Sequence, residues 1–225
     1  MFDVLYPVKE PGHHEELRFS LRSLQNIDHN QVFLAGYRPR WTANITHIPR
    51  QQNEKTEGKQ DKFLRTWYNL KKGLEHPNIS DSILIMNDDF YITRPLENIP
   101  IYRGREFTKA NLERTQATLE IMSHIKCRST YSYEYHTPFL VEKDKLLYIF
   151  REIEDYYENF ALTYWRTIYG NYYRIGGQYE VDIKIWDKTQ INENSQFLST
   201  EDSTFREHAR PYLESLFPSP SIYEK

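Results

Sequence analysis

Two carboxylates stand side by side at Asp88 and Asp89, separated only by Asn87 from the apolar run Ile83 to Met86. An apolar run bounded by polar residues predicts a central strand buried on both faces. In open α/β sheets the ligand crevice lies outside the carboxyl ends of the strands, which is where this pair falls. Burying two negative charges without a counter-ion is costly. A divalent cation resolves the conflict, and hard oxygen donors favour Mg²⁺ or Mn²⁺, which keep coordination positions open for a diphosphate. The competing structural role is a pair of turn or helix caps.

Further polar residues are spaced to join such a centre. Arg18 and Arg22, one helical turn apart beyond the loop from Lys9 to His14, can meet a phosphate or orient a nucleotide; a solvated basic face is the alternative. Lys62, Arg65 and Asn69 form a polar stripe on the helix before the Asp88-Asp89 strand. Among eight histidines, His136 is favoured, because a strand stopping near Pro138 carries its ring to the crevice edge beside Asp89. His13 and His14 are the rivals, although neighbouring side chains on an extended loop point apart. Residues 169 to 182 hold three of the eight glycines and four of the 18 tyrosines, offering flat rings to a sugar. In that segment Glu180 and Asp182 are candidate general bases for an acceptor hydroxyl. Its bland reading is a hairpin turning at Gly176-Gly177.

Asn87-Asp88-Asp89-Phe90 after a buried run resembles the metal-binding Asp-x-Asp element of GT-A glycosyltransferases. Asn87 matches its first acidic position and Asp89 its last. Glu16-Leu17-Arg18-Phe19-Ser20-Leu21-Arg22-Ser23-Leu24, followed by Ile85 to Phe90 and Pro95, is similar to the Stealth-type capsular polysaccharide phosphotransferases over roughly the first 95 residues. Two departures accompany the match: Phe90 follows Asp89 directly, and the first strand reads DVLYPVK. The resemblance implies a nucleotide-sugar fold in which Asp89 holds Mn²⁺ or Mg²⁺ and His136 is an additional ligand. Asp88 would stand at the reacting centre, and Arg18, Arg22, Lys62, Arg65, Asn69, Asn87 and Asp88 would face the donor. The reaction implied is transfer of a sugar from a nucleotide sugar to a hydroxyl acceptor, or of a sugar phosphate in the Stealth manner. A non-catalytic carbohydrate- or partner-binding domain is the rival from another class.

The elements that must position these residues follow from hydrophobic period. Strands are predicted at Phe2 to Val8, Gln31 to Gly36, Asn44 to Ile48, Ser82 to Met86 and Thr130 to Leu140. Helices are predicted around Leu17, Leu21 and Leu24, from Asp61 to about Gly73, from Lys109 to Ile125 and from Lys143 to Tyr157. The polar stretch from Arg50 to Gln60 reads as a mobile loop, and the segment from about Ser195 as a polar tail wrapping the surface. The order favours an α/β, GT-A-like single domain with a mostly parallel sheet flanked by helices. Residues 1–95 would form the nucleotide-sugar and metal half, and 96–225 the acceptor half.

Composition bounds the rest. The 225 residues are 39% hydrophobic, 27% charged and 15% aromatic, which suits one substantial core and excludes disorder. Lys and Arg total 29 against 32 Asp and Glu, a formal charge of -3, so no global field draws in a nucleic acid. DNA bearing a modified base therefore ranks behind a glycan as acceptor. Cys127 is the single cysteine, which excludes a disulfide framework. With no signal-peptide layout or apolar run of ~20 residues, the expected location is cytoplasmic.

Overall fold

The computed structural model describes residues 1–9, 14–50, 61–106 and 113–225, apart from the side chains of Asp61 and Lys62. The expected loop at 51–60, His13, and the start of the helix expected from Lys109 lie outside the described residues. So does the Lys62 side chain.

The central sheet has five strands, β1 (Asp3–Val8), β2 (Val32–Gly36), β3 (Thr46–Pro49), β4 (Ser82–Ile85) and β7 (Phe139–Glu142), in the order β3-β2-β1-β4-β7. The first four are parallel, and β7 runs antiparallel to β4. The sheet is thus mixed and mostly parallel, and helices flank it. Alternate residues of each strand serve opposite faces. Leu5, Phe33, Ala35, Ile83 and Ile85 pack with α2 (Asp61–Leu74), α4 (Lys143–Tyr156) and α5 (Trp165–Tyr172). Val4, Tyr6, Val8, Leu34, Leu84 and Met86 pack with α1 (Glu15–Ser23). Among the described residues no helix is long and apolar enough to cross a membrane.

Pro7 explains where the sheet opens. Within β1, Val4 donates its N–H towards β2, whereas Asp3 and Leu5 use their backbone groups on the β4 side. Alternation puts Pro7 on the β4 side too, where its missing N–H would break a ladder. The β1–β4 ladder stops before it: the register runs only from Asp3↔Ile83 to Leu5↔Ile85, while β1 continues with β2 to Val8↔Gly36. Beyond Met86 the two chains diverge. Because β2 and β3 extend the sheet on one side of β1 and β4 on the other, this gap is the topological switch point.

Several expectations are corrected. Thr130 to Pro138 is not a strand; apart from a bridge at Tyr131, His136 sits in irregular chain leading into β7. The turn at Gly176-Gly177 makes no hairpin: β8 (Gln178–Tyr179) pairs in parallel with β6 (Tyr102–Arg103). The last thirty residues do more than wrap the surface. β9 (Phe197–Ser199) pairs with β5 (Phe90–Ile92), and Phe205, Leu213 and Phe217 bury a third cluster with Phe19 and Tyr91. The polar composition hid this, because the apolar anchors are far apart in sequence.

Candidate functional site

Asn87, Asp88 and Asp89 leave β4 where it parts from β1, and Lys9 leaves β1 at the same point. All four line a cleft of about 870 Å³ together with the first turn of α1 and residues 200–206. A smaller chamber of about 370 Å³ opens on the α2 side of the sheet. Lys9, Phe63, Asn87 and His136 line both spaces.

The loop carrying the aspartates is held from α1. Ser20 Oγ, buried, donates to the Phe90 carbonyl at 2.6 Å and lies within 3.0 Å of the Tyr6 hydroxyl. Ser23 Oγ accepts the Ile92 N–H at 3.1 Å. The two segments that carry the family resemblance are therefore bonded to each other. Small hydroxyl residues at i and i+3 do what an apolar residue there could not, capturing the backbone of an incoming strand.

The electrostatics of the cleft are strained in favour of cations. Among the described residues six carboxylates line it against the side chains of Lys9, Lys184 and Arg206. Burial and the adjacent Asp88 charge push the Asp89 carboxyl up to about 6, despite Lys184, Lys9 and His136. Burial also opposes ionisation of Asp88, but His14, its Nδ1 3.9 Å from the carboxylate, together with Lys9 outweighs it and holds Asp88 below the usual carboxylate range. Glu16 is pushed up to about 9 by burial, by a hydrogen bond with Asp202 and by the charges of Asp202, Asp88 and Asp89. Asp89 and Glu16, unlike Asp88, are thus carboxylates short of a counter-ion.

His136 and Asp182, expected in separate roles, form one unit. The Asp182 carboxylate accepts the His136 backbone N–H at 3.1 Å and meets Nδ1 at 2.6 Å. With Nδ1 as the donor, the tautomer is set and Nε2 keeps its lone pair. Burial would raise Asp182, but the His136 hydrogen bond and charge dominate and lower it. Asp182 thus orients the histidine and is engaged by it. Glu180 lies apart: its carboxylate accepts its neighbour's N–H at Val181, and its side chain is exposed.

Other expected residues are directed elsewhere. Arg22 donates Nε and Nη2 to the two oxygens of Glu224 at 2.7 and 2.9 Å, and Nη1 to the Phe217 carbonyl at 3.1 Å. Arg18 lies 3.5 Å from the same carboxylate and 4.6 Å over the Trp41 ring. Neither arginine lines the cleft; both tie α1 to the C-terminal segment. Asn69, buried, donates to the Val8 carbonyl at 3.1 Å. It fills the space beside Gly36, whose φ of +108° and close approach to Val8 O leave no room for a Cβ. Asn69 therefore supports the end of β1 from beneath. Arg65 is half-buried on α2 and lines neither space.

Residues that sequence reasoning passed over are Glu16, Asp202, Lys184, Lys9, Glu134, Arg114 and Arg166. Lys9 had a signal, since it follows β1 as Asn87 follows β4. Glu16 reads equally well as a carboxylate in a first helical turn. Among the described residues no three His, Cys, Asp or Glu side chains gather as a metal cage. Asp88, Asp89 and His136 are thus not assembled into one, and the donor set suits an ion held by one or two carboxylates with substrate oxygens completing the shell.

No protein-family model matches the chain, and no curated protein matches it.

Proposed function

We propose that the protein is a metal-dependent glycosyltransferase of GT-A type, moving a sugar from a nucleotide-sugar donor to a hydroxyl acceptor. The observation that carries this reading is the placement of Asp88 and Asp89 at the diverging ends of β1 and β4, in one cleft with a histidine oriented by a carboxylate. Mn²⁺ or Mg²⁺, when bound by Asp89 with Asp88, would neutralise the donor diphosphate and the charge that develops on it.

The chain's own groups divide the remaining work. Lys9 and Lys184 line the cleft and supply positive charge to phosphate oxygens. Asn87, at the join of the two spaces, offers an uncharged amide to the donor. His136 Nε2 accepts the proton of the acceptor hydroxyl as its oxygen bonds to the anomeric carbon. The bond from that carbon to the diphosphate oxygen breaks, and its electron pair leaves with the nucleoside diphosphate. Asp182 stabilises the imidazolium so formed, which is the task of the third group in a base–orienter arrangement. This differs from the expected assignment of His136 to the metal and of Asp182 or Glu180 as the base.

A thermal-shift panel of nucleotide sugars, with and without Mn²⁺, tests the reading. A metal-dependent shift that Asp89→Ala removes supports it. No shift for any donor, with Asp89→Ala affecting stability alone, leaves a non-catalytic binding domain.

A second reading, sugar-phosphate transfer in the Stealth manner, is favoured by the bonding between the α1 segment and the Asp88-Asp89 loop, since those two segments carry that resemblance. Labelled donor separates the two. Release of a nucleoside diphosphate supports glycosyl transfer, and release of a nucleoside monophosphate supports phosphotransfer.

A further inference from the structure

The smaller chamber differs in chemistry from the cleft it joins. Phe63, Trp67, Tyr164 and Trp165 contribute rings to its wall. Among the described residues its charged lining is reversed in sign: Lys9, Arg114 and Arg166 against Glu134 alone. Both arginines are built in. Arg114 is stacked between Phe63 at 4.5 Å and Tyr164 at 4.2 Å, with Nε donating to the Leu162 carbonyl at 2.7 Å. Arg166 is 6% exposed, lies 5.4 to 5.5 Å from Phe90, Phe139 and Trp165, and donates Nη1 to the carbonyls of Tyr135 and Thr137. The single carboxylate is occupied as well, Glu134 Oε1 accepting from the Thr167 N–H and hydroxyl. Guanidinium groups fixed beside rings in this way can offer a planar or tetrahedral anion the N–H groups that those carbonyls do not take, at little entropic cost on binding.

We propose that this chamber is the acceptor site and selects a sugar that carries a negative charge, as a phosphate or a carboxylate substituent. The rings stack on the sugar's apolar face, and Arg114, Arg166 and Lys9 hold the anion. His136, shared by chamber and cleft, then stands between the acceptor and the donor side. This rests on the transferase reading for the word acceptor, but the binding itself does not require a metal.

Trp67 and Trp165 give the chamber its own fluorescence report. Metal-free protein is titrated with hexose 6-phosphates, hexuronates, the matching neutral hexoses and uridine monophosphate. The expected result is binding of one anionic class at least tenfold tighter than its neutral hexose, weakening as salt rises. Which class binds identifies the anion as phosphate or carboxylate. Arg114→Gln should remove most of that preference. Glu134→Gln should keep or tighten it, and serves if Arg114→Gln does not fold. Equal affinity for charged and neutral sugars overturns the proposal, as does tighter binding of uridine monophosphate, which would make the chamber a nucleoside site. Donor binding in Mn²⁺ is measured alongside: its absence, with anionic sugars still bound, defeats the transferase reading and leaves the chamber.

Discussion

Asp182 holds His136 at two points, its Oδ1 accepting the backbone N–H at 3.1 Å and its Oδ2 meeting ring Nδ1 at 2.6 Å. A carboxylate that fixes both the main chain and the ring leaves the imidazole one orientation. Asp182→Asn keeps a polar side chain of the same shape but removes the charge that favours imidazolium. The expected outcome is a loss of kcat on the order of 10² to 10⁴, with donor KM changed no more than about threefold. Steady-state kinetics on the transfer reaction check this, and a change confined to KM would count against the dyad.

Asp89 stands beside Asp88 in a half-buried loop, and both burial and that neighbour disfavour its charge. Asp89→Asn should therefore raise the melting temperature of the metal-free protein, by roughly 2–4 °C per ~1 kcal/mol for a chain of this size. The same substitution should abolish any shift produced by Mn²⁺ with a nucleotide sugar. Differential scanning fluorimetry reads both effects, and a lowered metal-free melting temperature would contradict the first.

The ion pair of Arg22 and Glu224 is enclosed, with side-chain exposures of 11% and 3%. Removing one partner from such a pair costs up to about 3–5 kcal/mol, and Arg18, 3.5 Å from the same carboxylate, keeps the loss in Arg22→Met below the top of that range. Arg22→Met should show that loss in urea unfolding. Glu224 also sets a pH dependence. Burial raises its pKa, but the Arg22 hydrogen bond, the Ser221 N–H and the charges of Arg22 and Arg18 prevail and hold it below the glutamate range. A folded-state pKa below the unfolded one contributes stability at neutral pH that is lost as pH falls below about 4.3. Glu224→Gln should flatten the stability profile in that acid range.

Ser20→Ala deletes the buried hydroxyl that joins α1 to the aspartate loop and leaves the Phe90 carbonyl and Tyr6 hydroxyl without their partner. The expected cost is about 1–3 kcal/mol, measured by denaturant unfolding. Mn²⁺-dependent donor binding should weaken with it, whereas Ser215→Ala, on an exposed hydroxyl, should alter neither.

The strand at Ser82 to Ile85 was legible because a four-residue apolar run between polar residues has few other homes, and the position of Asp88 and Asp89 followed from it. Arg18 and Arg22 show the limit of the same reasoning. Spacing of four residues puts two side chains on one face, but which face meets the cleft depends on Glu224, some two hundred residues away. His136 and Asp182 each stand out in their own segments, but their pairing is not legible, since 46 residues of chain separate them and no period links irregular segments. β7 escaped for a related reason: whether an apolar run joins its neighbour parallel or antiparallel is decided by the connection, which residues 96–138 do not announce.

The bond between Arg22 and Glu224 spans 202 positions, and it bears on how the chain is made. A ribosome adding about 5–20 residues per second needs on the order of ten to forty seconds to produce the second partner after the first. During that interval α1 carries a guanidinium destined for burial with no carboxylate to receive it, and Phe19 lacks the aromatic neighbour at Phe205 that later covers it. The nascent chain can form β1 and β2 early, but that face of α1 stays uncovered until Phe205 and Glu224 have been made.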